Sequence, residues 1–315
     1  VPAPLPAPSG ILAYPPQFSP IDRRNIDAFV IIINVGSIIT LLTDFGLEDT
    51  YVGVMKGVIA SICPQAQVID LTHQVPPQDV PTAAFLLDIS VDYFPDGAIH
   101  VAVVDPGVGT ARKPVALRTA KAFYVGPDNG IFTLVLQRQK VVQAVCLDNP
   151  KYRLPELSTT FHGRDIFAPA AAHLASGLPL GELGSPITRL QRLPLPRIRV
   201  DWHGIRATVV HIDRFGNAIT NLTRGDYERW RSRWDVEQPV VEVVRAGVIL
   251  PLSGTYGEVA HGQPLALFSS SGRLEVAVNM GNAAQTLSIC RGDMVRVLRR
   301  ENSSPPRIQR ALRLE

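Results

Sequence analysis

The sequence predicts an α/β protein: an N-terminal domain built on a largely parallel sheet, then a smaller, mostly β domain. Two observations carry this. In the first half, short β-branched runs end in polar loops and give way to helical stripes, in repeated order. In the second half the runs are short, with turn residues between them. A length of 315 residues suits two domains, and a hydrophobic fraction of 46% supplies apolar material for their cores. No internal repeat is present.

Residues 1–36 read as an extended or disordered leader, because Pro2, Pro4, Pro6, Pro8, Pro15, Pro16 and Pro20 leave few donors and little to bury. It opens on Val1 and is expected to include translated sequence upstream of a natural start. The apolar run 29–35 is too short to span a bilayer and carries no small-residue cleavage site.

The α/β domain is placed at 37–185. Residues 37–42 (SIITLL) form a buried strand that stops at Thr43, Asp44, Phe45 and Gly46. Tyr51, Met55, Val58, Ile59 and Ile62 make a helical stripe over 51–62, stopped by Pro64. A second strand, 68–71, ends at Thr72 and His73. A helix over 80–93 is broken by Phe94-Pro95-Asp96-Gly97, and a third strand, 99–104, ends at Asp105. Ligands of such sheets bind beyond the carboxyl ends of the strands, so Asp44, His73 and Asp105 are candidates. Residues 186–197, with three prolines and no clear period, are a linker. The β domain follows at 198–300, with runs such as 207–212, 240–244 and 296–298, and a basic tail occupies 301–315.

A formal charge of +3, from 31 basic and 28 acidic residues, gives no support to nucleic-acid or membrane binding. Cys63, Cys146 and Cys290 are scattered and odd in number, which argues against a disulfide framework or structural zinc and for the reducing cytoplasm. No His/Cys/Asp cluster has metal-ligand spacing, so no metal is expected. His73 is the loosest candidate and reads as a structural loop histidine.

Four segments can carry chemistry, each with an ordinary alternative. In Asp105-Pro-Gly-Val-Gly-Thr-Ala-Arg112, Gly107 and Gly109 allow a sharp turn and close approach to a ligand. No Gly-Lys-Ser/Thr follows, so it is not a phosphate loop, and Asp105 could simply cap a tight turn. In Thr160-Phe-His-Gly-Arg-Asp165, His162 lies in a loop before an apolar run; Asp165 could cap the helix and Arg164 could pair locally. Asp213-Arg-Phe-Gly-Asn217 and Ser269-Ser-Ser-Gly272 could each be only turns.

Their joint occurrence is more specific. TDFG (43–46), YVGVMKG (51–57), DLTHQVPPQD (70–79), VVDPGVGTAR (103–112), GPDNG (126–130), TFHGRD (160–165), DRFGN (213–217) and SSSGRLEVAVN (269–279) together resemble the S-adenosylmethionine (SAM) hydroxide adenosyltransferases. These are relatives of the enzymes that make carbon–halogen bonds from the same molecule. The resemblance covers roughly 37–298 in order. It implies a C-terminal β-barrel-like domain and a homotrimer whose sites lie between one subunit's N-terminal domain and a neighbour's C-terminal domain. It also implies a catalytic set of Asp105, Arg112 and His162. Asp44 would bind ribose, Asp213 the methionine amine and Ser270 its carboxylate. Phe215 and Asn217 would lie beside adenine, with Ala283 as a backbone contact. Phe161 completes the substrate-binding set.

The implied reaction is hydrolysis of SAM to adenosine and methionine by in-line attack of water on ribose C5′, with no cofactor. Methionine leaves as a neutral thioether, so the protein must position a water and take up its proton. Arg112 stays protonated and cannot be the base, which leaves Asp105 or His162. The nearest rival is a halide-using adenosyltransferase, but a halide is repelled by a carboxylate such as Asp105, and Gly163 stands where the halogenating relatives offer a hydroxyl. A non-catalytic SAM or adenosine binder is the rival from another class. A methyltransferase is disfavoured, because Phe45-Gly46-Leu47-Glu48 replaces a glycine-rich fingerprint after the first strand.

Overall fold

Strands buried on both faces need apolar residues at nearly every position, and the centre of the first sheet is built from such strands. The computed structural model describes residues 37–300; the expected leader and basic tail lie outside the described residues. In chain order come β1 (Ile38–Thr43), α1 (Tyr51–Ile62), β2 (Gln67–Thr72), α2 (Val80–Ser90), β3 (Ile99–Val103), β4 (Pro114–Thr119), β5 (Phe123–Pro127), α3 (Val135–Arg138) and β6 (Val141–Cys146). A π-helical turn, Gly163–Phe167, then runs into α4 (Ala168–Ala175). The strand order is β2-β1-β3-β5-β4-β6. The first three pairings are parallel, and β4 alone runs against its neighbours.

The period of two sorts each strand onto two cores. Leu41, Val101 and Val103 pack with Met55 and Ile59 of α1 and the alanines of α4. Leu42, Ala102 and Val104 pack on the other face with Ala83 and Leu87 of α2. Gly126 fits between strands where a Cβ would stand 2.3 Å from the Ala102 carbonyl oxygen.

The second domain comprises β7 (Arg199–Val200), β8 (Gly204–Ile212), β9 (Ala218–Thr223), α5 (Arg224–Trp234), β10 (Pro239–Val243), β11 (Val248–Ser253), β12 (Pro264–Phe268), β13 (Arg273–Val278), α6 (Ala283–Thr286) and β14 (Met294–Arg299). Its order is β14-β10-β11-β12-β13-β9-β8, and β14 pairs again with β8. That last pairing closes a barrel and removes its edges, with β7 attached outside on β8. Thr223 caps α5 by accepting from Asp226 N–H at 3.1 Å. Trp230 of that helix is 1% exposed among the barrel's core residues.

The expected helix at 51–62 has those bounds, and the expected strands at 37–42, 68–71 and 99–104 match β1, β2 and β3 within a residue. The helix expected over 80–93 is α2 followed by a 3-10 turn at Val91–Tyr93. The antiparallel excursion through β4 has no counterpart in the sequence reading. It is a short apolar run buried on both faces like its neighbour β5, so nothing local gives its direction.

Helix α2 also joins the domains. Asp88, 5% exposed, accepts from Arg138 Nε and from Arg273 Nη2 of β13, each at 2.8 Å. The Phe85 ring stacks on His211 at 5.1 Å, and Arg291 bonds Asp79 and Thr82 at the start of the helix. Asp88→Ala leaves Arg273, a largely buried cation, without its carboxylate, and is expected to cost about 3–5 kcal/mol in urea unfolding.

Candidate active site

The carboxyl ends of β2, β1 and β3 lie side by side, since Leu42 pairs with Thr72 and Thr43 with Val103. His73, Asp44 and Asp105 therefore emerge along one edge, as the sequence led us to expect. His73 is a structural residue. It is 3% exposed, its Nδ1 lies 2.8 Å from Thr43 Oγ1, and its Nε2 stands 3.0 Å from Asp70 Oδ1, off the line of a good hydrogen bond. Asp44 accepts the Gln78 N–H at 2.8 Å on Oδ2. Gln78 has a left-handed φ of 66°, rare for a non-glycine residue, which turns that N–H toward the carboxylate.

Asp105 and Arg112 form a two-pronged ion pair. Arg112 Nε donates to Oδ1 at 3.0 Å and Nη2 to Oδ2, with both side chains 6% exposed. Nη2 also reaches His162 Nδ1 at 3.1 Å. A guanidinium only donates, so Nδ1 must accept, and the neutral ring carries its proton on Nε2. Burial, together with the Arg112 charge, holds His162 below its ordinary value of 6.5. Arg112 Nη1 is buried without an acceptor among the described residues, a donor left over for a ligand atom. The guanidinium lies over the Phe167 ring, 5.5 Å from its centre.

Local sequence fixes this geometry from several sides. Asn129 Nδ2 donates to the Val104 carbonyl at 2.8 Å, which pins the backbone just before Asp105. Gly109, at φ 75°, lies so close to the loop before His162 that a Cβ would stand 2.5 Å from the Thr159 carbonyl oxygen. Asp165 does not cap the following helix, as the sequence had suggested. It is fully buried inside the π turn, where it accepts Ser158 N–H at 2.7 Å and pairs with Arg164, so it ties down the loop leading to His162. The extra residue of a π turn commonly marks a functional position, and here His162 sits at its start. Phe161 packs edge-on to Tyr51 at 5.1 Å and Phe45 at 5.8 Å.

The other expected residues cluster in the barrel domain. Asp213, Phe215, Asn217 and Ser270 line a cleft of about 560 Å³ that also includes Phe85, His211 and Glu275. Asp213 organises its turn: Oδ1 accepts the N–H groups of Phe215 and Asn217, each at 2.9 Å, and Oδ2 accepts Asn217 Nδ2 at 3.0 Å. Phe215 is 74% exposed, an unusual state for a bare ring. Ala283 does not line the cleft. Its side chain is buried in the barrel core, and its neighbours meet the turn: the Asn282 side chain lies against Gly216, and Ala284 N–H donates to Gly216 O at 2.9 Å. Asp105, Arg112 and His162 do not line this cleft either, so the residues form two groups.

Comparison with known proteins agrees with both halves. Residues 39–184 match the SAM hydroxide adenosyltransferase N-terminal domain, and residues 207–296 match the C-terminal domain of the same family. The chain belongs to this family. An (R)-S-adenosyl-L-methionine hydrolase of Thermus thermophilus is 46% identical over 82% of this chain and 98% of its own. One from Methanocaldococcus jannaschii is 31% identical over 83% and 95%. A fluorinase of Nocardia brasiliensis is 29% identical over 82% and 96%. A solved structure of an uncharacterized conserved protein from Thermotoga maritima superposes with a TM-score of 0.78 at 37% identity, covering 83% of this chain and all of that one.

Sequence reasoning assigned no role to Asn129, Gln78, Tyr256 or Glu275. The first lies in the GPDNG segment, and Glu275 stands out as a charged residue inside the apolar run of β13. Gly109→Ala must push the Thr159 loop away and strain a left-handed residue. It is expected to lower activity more than about tenfold while costing only about 1–2 kcal/mol in thermal unfolding.

Proposed function

We propose that this protein hydrolyses SAM to adenosine and methionine. The observation that carries the reading is Arg112 holding Asp105 and His162 together in a member of this family. Water attacks ribose C5′ opposite the sulfur. A C–O bond forms, the C–S bond breaks with its electron pair on sulfur, and methionine leaves neutral. The sulfonium is an activated leaving group already, so the reaction needs no cofactor or metal. Because His162 Nδ1 is taken by Arg112, the ring cannot accept the proton on that side, and its Nε2–H serves as a donor. Asp105 is then the group that receives the water's proton, with Arg112 Nη1 and His162 Nε2 holding its oxygen. Asp44, with one oxygen bonded to Gln78, keeps the other for the ribose diol.

Water is favoured over halide on two counts. A carboxylate beside the nucleophile repels an anion. At Gly163 a Cβ would already stand 3.1 Å from the Phe161 ring, 3.2 Å from Met55 Sδ and 3.3 Å from the Phe45 ring, which leaves little room for a hydroxyl-bearing side chain. Adenine and the methionine end belong in the barrel cleft with Phe215, Asn217, Asp213 and Ser270. The separation of this cleft from the Asp105 group, and the bare Phe215 ring, support a homotrimer that completes each site across a subunit boundary. A sedimentation mass of three subunits tests it. Among the described residues no helix is long and apolar enough to cross a membrane, and all three cysteines are unpaired, in keeping with a cytoplasmic enzyme.

Reaction in oxygen-18 water is expected to label the 5′-hydroxyl of adenosine. Asp105→Ala should cut turnover by about 10² or more while leaving SAM affinity within about tenfold. Unlabelled adenosine, or a 5′-halo product in the presence of halide, would overturn the assignment. Protonating His162 destroys the acceptor for Arg112 and sets two cations side by side. Since its titration is displaced downward, kcat/KM should keep more than half of its plateau at pH 6.5, where an ordinary imidazole is half protonated, and the midpoint of its acid-side loss should lie below that value.

A further inference from the structure

The barrel cleft holds a carboxyl group that the reaction as described does not use. On β13 the side chains of Leu274 and Val276 fill the barrel core, and the period of two turns Glu275 outward. It is nevertheless only 2% exposed. Leu267 of β12 and Ile219 of β9 flank it in the sheet. Tyr256 lies over it and donates its hydroxyl to Oε1 at 2.5 Å, and the Ser269 hydroxyl lies in the same cleft.

What the group lacks is a cation. Among the described residues no lysine, arginine or histidine acts on Glu275, and the nearby charge is that of Asp213, of like sign. Burial pushes its carboxyl up, against the pull of the Tyr256 and Ser269 hydroxyls, and Asp213 adds to the rise. Burying a carboxyl with only hydroxyl partners is costly. Glu275 lines the same cleft as Asp213 and Ser270, where a ligand can supply the missing charge. Asp213, by contrast, spends lone pairs on three donors of its own turn.

Resting on the reading that this cleft takes the methionine end of SAM, we propose that Glu275, held by Tyr256, binds that end's α-ammonium together with Asp213. Asp213 then shapes the turn, and Glu275 makes the site selective for a cationic amino-acid end. The carboxylate of methionine lies toward Ser270, away from the acidic pair.

The test compares SAM with its desamino analogue, in which hydrogen replaces the α-ammonium, on wild type, Glu275→Gln and Tyr256→Phe. The wild type is expected to show a KM about a hundredfold higher for the analogue. Glu275→Gln should raise KM for SAM about thirtyfold, leave kcat within about threefold, and shrink the preference for the ammonium to about tenfold or less. Tyr256→Phe should shift the same ratio part of the way, and it carries the comparison if the glutamine variant does not fold. A purely structural Glu275 would weaken both substrates alike. A wild-type preference retained in the variants, or no preference in the wild type, overturns the proposal. If the wild type makes no adenosine at all, the hydrolase reading fails separately. The ratio is then read from calorimetric Kd values for the two compounds, where its collapse supports the proposal, and its persistence or an absence of binding overturns it.

Discussion

One guanidinium organises the candidate reaction centre. Arg112 grips Asp105 through two nitrogens and turns the second hydrogen of Nη2 to His162 Nδ1. Because arginine has no acceptor and does not lose its proton, that contact dictates the tautomer of the imidazole and, through it, the division of labour. In the mechanism we propose, the histidine is a donor and the aspartate the proton acceptor. With the Asp105 and Arg112 side chains largely withdrawn from water, the pair is weakly screened and its geometry is held firmly.

The rest of the N-terminal domain serves that contact. Parallel strands β1 and β3 set Asp44 and Asp105 on neighbouring ends, and Asn129 anchors the chain just ahead of Asp105. Arg112 returns to Asp105 because the loop between them packs glycine-first against Thr159. His162 is delivered by a loop that the buried Asp165 fastens from behind. Helix α2 ties this domain to the barrel through Asp88 and itself lines the cleft with Phe85, so the two halves of the chemistry share a strut.

Much of this was legible in the sequence, for identifiable reasons. The α1 stripe has a clear helical period, and the strands before Asp44, His73 and Asp105 are short β-branched or apolar runs that stop at polar loops, so type and position followed from local pattern. The candidate triplet of Asp105, Arg112 and His162 could be named only through resemblance, because Arg112 and His162 are far apart in the chain and nothing local announces their contact. Asp165 misled for a physical reason. An acidic residue before an apolar run looks like a cap, but the π turn draws it inside. Barrel closure through β14 and β8, and the burial of Glu275 on an outward-facing position, depend on non-local packing and were not readable from short windows.

The chemistry asks little of the protein beyond position and charge, since the sulfonium departs without acid. What must be right is where each proton of the Asp105–Arg112–His162 group resides. Nitrogen-15 NMR of histidine-labelled protein reads this directly. At neutral pH the account predicts that His162 is neutral, with a bare Nδ1 and a protonated Nε2. A proton on Nδ1, or a charged ring, would contradict it.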